Sequence, residues 1–179
     1  ILTKGVFIEG TSIIAREKEI ELRNKGLNED FIKKCKDYLY EPGISVFKDA
    51  SLANKNFLIK SFHDVTEGGL FTAIAEMAIA SNTGVLIEID KINVLSESLK
   101  LSELYDLNPY NTISSGSLLI AVKENNSYDL INLLKKNKIS AEKIGNFTLR
   151  NKGLKIQDTN KNISRLEYSE IDDITKIFN

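Results

Sequence analysis

Cysteine and histidine are almost missing from this 179-residue sequence, which holds one of each. A single cysteine excludes an internal disulfide and leaves no ligand cluster for structural zinc. Cys35 lies in the helical stretch Phe31-Ile32-Lys33-Lys34-Cys35-Lys36 with no histidine beside it, so a packed thiol is expected rather than a reactive one. Proline occurs only twice, and neither a low-complexity linker nor an internal repeat interrupts the chain. An excess of one charge is lacking too. The 24 basic and 25 acidic residues leave a formal net charge of -1, so no overall field draws the protein to nucleic acid or to an anionic membrane. No apolar run nears the roughly 20 residues that span a bilayer. The start, Ile1-Leu2-Thr3-Lys4-Gly5, has no signal-peptide pattern, and a cytoplasmic protein is expected. Ile1 is no natural initiator, which suggests that the chain is cut or processed from something longer.

What is present is an ordinary globular mixture, 42% hydrophobic and 27% charged, of a length that suits one domain with a substantial core. Apolar spacing predicts helices over about 11–25, where Thr11-Ser12 resemble N-cap residues, over 28–39 and, with Ser45 as a candidate cap, over 45–54. A short strand over 57–62, a helix over about 66–81 and a buried strand over 85–89 follow. Along the middle helix, Leu70, Ala73, Ile74, Met77 and Ala78 recur at steps of three and four, a stripe that reads as core. A helix over about 96–107 is broken by Asn108-Pro109. Leu118-Leu119-Ile120-Ala121-Val122 then has the composition of a central strand. A helix over 127–136 and a strand across 139–147 complete an α/β arrangement. Residues 150–162 are polar, with Gly153 in a hairpin or loose extension, and 170–178 suggest a terminal helix whose acidic pair, Asp172-Asp173, complements its dipole.

Chemistry is concentrated in His63-Asp64-Val65-Thr66-Glu67-Gly68-Gly69-Leu70. Glycines at a helix start let a ligand approach the backbone, and the free N–H groups there favour phosphate or carboxylate. Asp64 and Glu67 are placed to orient a bound group or to offer oxygen ligands to magnesium. The same Asp64-x-x-Glu67 spacing is that of a capping box, and the two readings stand side by side.

These motifs resemble the C-terminal domain of the aminoimidazole ribonucleotide (AIR) synthetase superfamily, over residues 1 to about 148, with 149–179 as a terminal extension. Gly10-Thr11-Ser12-Ile13-Ile14-Ala15-Arg16-Glu17 and Glu41-Pro42-Gly43-Ile44-Ser45-Val46 resemble the opening helix and connector of the AIR-synthase-related and hydrogenase-maturation branch. His63–Leu70 resembles the superfamily's acidic glycine turn, Ser114–Val122 its Ser-Gly-x-Leu-Leu strand, and Ile144-Gly145-Asn146-Phe147 its closing turn. The resemblance implies a layered α/β domain with a mixed sheet flanked by helices. It implies a parent protein with a separate N-terminal domain, absent from this chain, that binds most of the ATP and Mg2+ at a homodimer interface.

On this resemblance Asp64 and Glu67 are the candidate catalytic residues. His63, Thr66, Gly68, Gly69, Ser115 and Gly116 are the candidate substrate-binding residues, and no metal ligand set is assigned to this chain. The expected substrate is a small phosphorylated or amide-bearing metabolite activated at the expense of ATP. The hydrogenase-maturation enzymes present a C-terminal cysteine, whereas this sequence ends Lys176-Ile177-Phe178-Asn179, so that acceptor chemistry is not carried over. The alternative is a non-catalytic dimerisation or metabolite-binding module of the same fold.

Overall fold

A computed structural model of the chain describes residues 1–169 and 171–178. Its strands and helices, in chain order, are β1 (Leu2–Thr3), α1 (Ile8–Glu17), α2 (Glu19–Asn24), α3 (Glu29–Asp37), α4 (Phe47–Asn56), β2 (Ile59–Asp64), α5 (Gly69–Ala80), β3 (Gly84–Glu88), α6 (Ser96–Tyr105), β4 (Leu118–Val122), α7 (Glu124–Lys136), β5 (Ala141–Glu142), β6 (Gly145–Thr148), β7 (Leu154–Gln157) and β8 (Ile163–Arg165). The strands form two four-stranded sheets rather than one. The first has the order β2-β4-β1-β5 and is antiparallel throughout. The second, β6-β3-β7-β8, is mixed, because β3 and β7 run parallel.

The apolar run Leu118–Val122 is indeed central, between β2 and β1, and both of its faces are used. Leu119 points into a cluster between the sheets and α5, with Leu70, Ile74, Met77, Val85, Ile87 and Leu166. Leu118 and Ile120 point the other way, onto Ala53 of α4 and Leu130 and Leu134 of α7. A third cluster holds the helical layer together through Phe7, Ile14, Leu22, Ile32 and Leu101. Cys35 is fully buried there, and burial pushes its thiol up to about 12, as befits a packing residue.

Several boundaries move for identifiable reasons. The expected helix over 11–25 is two helices that meet at Lys18. The first begins at Ile8, so Thr11 and Ser12 lie inside it and dock it instead of capping it. Thr11 Oγ1 donates to Phe7 O at 2.6 Å and meets Ser98 Oγ at 2.7 Å, which ties α1 to α6. Asn28 does cap α3, accepting from Phe31 N–H at 2.8 Å. The stretch 139–147 is not one strand but two, β5 in the first sheet and β6 in the second. Gly145 permits the crossing, since a Cβ there would lie 2.2 Å from Leu86 O. The polar tail becomes β7 and β8, with β7 inside the second sheet and Leu166 fully buried. The expected terminal helix is a 3-10 turn, Asp173–Ile177, and Glu170 lies outside the described residues.

The connector between α3 and α4 is held from below by a buried ion pair. Lys4 Nζ lies 3.5 Å from Asp49 Oδ2 and donates to Gly43 O at 3.2 Å and Ser45 O at 2.7 Å. Gly116 backs onto the same connector: it has φ 110, and a Cβ on it would sit 2.7 Å from Gly43 O.

Candidate functional site

The acidic turn stands between the end of β2 and the start of α5. Pairing of His63 with Leu119 and of Asp64 with Leu118 sets the register. Val65, fully buried, anchors the turn, and its N–H donates to Ser117 O at 3.0 Å. An anchored valine leaves its neighbours facing outward: Asp64, Thr66 and Glu67 are exposed. The two carboxylates can therefore meet a ligand from solvent, Asp64 with His63 Nδ1 4.0 Å from its Oδ1.

Two consecutive left-handed glycines then turn the chain, Gly68 at φ 79 and Gly69 at φ 69. A side chain at Gly69 has no room, because its Cβ would fall 2.5 Å from Tyr110 O and 2.7 Å from Thr112 N. This reversal delays the helix. Helix α5 starts at Gly69 with Gly68 as a cap that has no side chain, so neither Asp64 nor Glu67 caps it. The capping-box reading is corrected accordingly.

The amides of the turn are also engaged within the protein. Gly68 N–H donates to Asp172 Oδ2 at 2.7 Å, Gly69 N–H to Thr66 O at 3.1 Å, and Phe71 N–H to Tyr110 O at 3.1 Å. In this arrangement Gly68 and Gly69 offer no free N–H to an incoming anion, contrary to the expectation from the helix start alone.

His63 faces α5. Its Nδ1 lies 2.6 Å from Asp64 O and its Nε2 lies 2.9 Å from Glu76 Oε2. His63 is thus tied to the turn on one side and to the helix on the other. Glu76 is not among the residues that the acidic turn points to, and its signal in the sequence is that it is the one charged residue of Gly69–Ala80. Asp172 was noticed only as helix-dipole charge, and nothing local announces its partner 104 residues earlier.

Ser115 and Gly116 lie beside the turn, just before β4, and their region is occupied with packing. Ser114 Oγ accepts Phe7 N–H at 2.7 Å and meets Ser117 Oγ at 2.8 Å, and Ser117 Oγ donates to Gly5 O. The structure thus gathers His63, Asp64, Thr66, Glu67, Gly68 and Gly69 on one turn and places Ser115 and Gly116 on the adjoining strand approach. A cleft of about 790 Å3 lies elsewhere, lined by Lys4, Asp90, Asn93, Lys135 and Glu142 among others, and the turn contributes no residue to it. Among the described residues no group of three or more His, Cys, Asp or Glu is gathered as a metal site. No described helix is long and apolar enough to cross a membrane.

Known proteins place this geometry in context. The chain is 33% identical over 101 residues to the "putative hydrogenase expression/formation protein" of Methanocaldococcus jannaschii, a match covering 55% of this chain and 30% of that protein. The E. coli HypE crystal structure superposes with a TM-score of 0.75 at 20% identity, covering 98% of this chain and 51% of HypE. A structure of the hydrogenase maturation protein HypE in complex with ATP superposes with a TM-score of 0.64 at 15% identity, over 97% of this chain and 51% of that one. The chain therefore spans about half the length of these solved neighbours and under a third of the curated relative. The family model of the AIR synthase related protein C-terminal domain matches residues 1–156, and this chain belongs to that family.

Proposed function

We propose that this chain is the substrate-facing half of an ATP-dependent enzyme acting on a small phosphorylated or amide-bearing metabolite, with Asp64 and Glu67 as the groups that orient and polarise the substrate. The observation that carries this reading is the turn itself. A buried Val65 and two left-handed glycines hold a pair of exposed carboxylates at a strand end, and neither carboxylate caps the helix that follows. In phosphoryl transfer the protein contributes chiefly position and electrostatics, which such a turn can supply.

The ATP complex of a HypE neighbour supports a nucleotide in the complete protein, and the family resemblance implies that most of its contacts come from an N-terminal domain outside this chain. Asp64 and Glu67 are oxygen donors of the kind magnesium accepts, and would face a metal-bound phosphate from this side. Bound magnesium supplies neutralisation of the charge on the transferring group. His63, held by Glu76, fixes the direction of the Asp64 carbonyl and with it the path of the turn. The isolated chain is expected to be inactive.

A homodimeric, cytoplasmic parent is part of the same proposal. Tyr40 and Phe47, each 78% exposed beside the connector, are the type of apolar surface that a partner covers. Light scattering of the complete protein checks the association.

Asp64→Asn provides the direct test of the catalytic assignment. With Asp64 exposed, the melting temperature should stay within the small range of surface substitutions. Magnesium-ATP turnover by the complete protein should fall about a hundred-fold or more, the scale of losing an electrostatic group at a reaction centre. Turnover that is unchanged across candidate substrates removes Asp64 from the machinery. A complete protein with no turnover at all, yet with metabolite binding at the turn, is the non-catalytic module instead.

A further inference from the structure

The glycine turn is closed by residues from the far end of the chain. Besides the Asp172 carboxylate on Gly68 N–H, Thr72 Oγ1 donates to Ser169 O at 2.8 Å. Asp172 is 9% exposed, and its second oxygen accepts Ile174 N–H at 2.9 Å. Neighbouring bonds fasten the segment to the loop after α6: Asn108 N–H donates to Asp173 Oδ2 at 2.9 Å, and Asp173 N–H to Asn111 O at 3.1 Å. Behind it, Ile174 and Ile177 rest on the helical cluster, both only partly buried.

A helix that needs only a cap finds one in the residue next to it, usually Ser, Thr, Asp or Asn. Here that position is glycine, and the anion comes from a segment that contributes no strand to either sheet. A carboxylate at a helix start uses the same N–H geometry and dipole as a phosphate. The clasp depends on a few polar bonds, two half-covered isoleucines and the Phe178 ring 5.2 Å from Lys18 Nζ, the features of a region that opens locally before the core does.

We propose that residues 171–178 form an intramolecular gate on the glycine turn, with Asp172 holding the place of an oxyanion of the substrate until that group displaces it. The proposal rests on the reading above that the turn faces a phosphorylated or otherwise anionic ligand. As a tethered competitor, Asp172 lowers the apparent affinity of a free anion by the fraction of time the gate is shut.

Inorganic phosphate is the probe, titrated calorimetrically into the complete protein, with hydrogen–deuterium exchange of the peptide containing Gly68 followed in parallel. In Asp172→Ala, phosphate should bind at least ten-fold more tightly than in the wild type. The Gly68 peptide should exchange faster without phosphate and regain protection with it. The double variant Ile174→Ala/Ile177→Ala keeps the carboxylate and loosens its support. It should move both readouts in the same direction, and it serves as the test if Asp172→Ala does not fold. Equal phosphate affinity in wild type and variants, with protection at the Gly68 peptide in each, overturns the gate and leaves the anion-facing turn standing. Failure of phosphate to protect that peptide even in the variants overturns the gate and the anion-facing turn together.

Discussion

At the scale of single residues, the groups with the most perturbed surroundings lie away from the proposed chemistry. Glu97 on α6 is the clearest. Burial opposes its ionised form, yet hydrogen bonds from Lys34, Tyr38 and Ser96 overcome this and hold the carboxyl at about 2. The contacts are 2.7 Å to Lys34 Nζ, 2.6 Å from Tyr38 Oη and 2.8 Å from Ser96 Oγ, and they join α3 to α6. A depressed carboxyl contributes stability that is fully present above its unfolded value, near 4.5, and is lost as pH falls through the folded value, near 2. Glu97→Gln is expected to lower stability by about 2 kcal/mol at pH 7, the scale of hydrogen bonds to a charged group. Thermal melts from pH 7 down to pH 2 check it: the wild type should lose more stability than the variant across the acid range. This network was not legible in the sequence, where Glu97 is one acidic residue among many at a helix start. The exposed pair Asp64 and Glu67 was legible, because a turn rich in carboxylate and glycine stands out without any tertiary information.

At the scale of elements, the glycine turn is decided by two separate demands, a backbone conformation and a close approach. Gly69 meets both, being left-handed and having the Asn108–Thr112 loop against it. Gly69→Ala should therefore destabilise by roughly 3 kcal/mol, combining left-handed strain with displacement of a packed loop. Gly26, at φ 84 with open space around it, is the control, and Gly26→Ala should cost only about 1 kcal/mol. Chemical denaturation with a constant slope separates the two expectations. The helices and strands were mostly recognisable from apolar spacing, as α5, β3 and β4 show. Their starts were not, because Thr11, Ser12, Asp64 and Glu67 look like caps locally and are used differently once the neighbouring elements arrive.

At the scale of the whole molecule, the tail is part of the architecture. Strand β7 pairs in parallel with β3 at the middle of the second sheet, and Leu166 reaches the cluster between the sheets. Leu166→Ala should cost about 3 kcal/mol by leaving a cavity. A chain ended after Thr148 should fail to give a cooperative melt by circular dichroism, since β3 would keep β6 as its sole strand neighbour. A folded, cooperative product would show that the tail is dispensable.

The amino-acid sequence by itself determined the class of structure, the central place of Leu118–Val122 and the turn rich in carboxylate and glycine. Each follows from local pattern: spacing of apolar residues, runs without charge, and glycines next to carboxylates. Only the tertiary structure decided that the strands divide into two sheets, that the capping motif does not cap, and that Asp172 closes on Gly68. Those outcomes depend on which distant groups satisfy a given backbone N–H, and that choice is made by packing over separations of a hundred residues, beyond the reach of any local pattern.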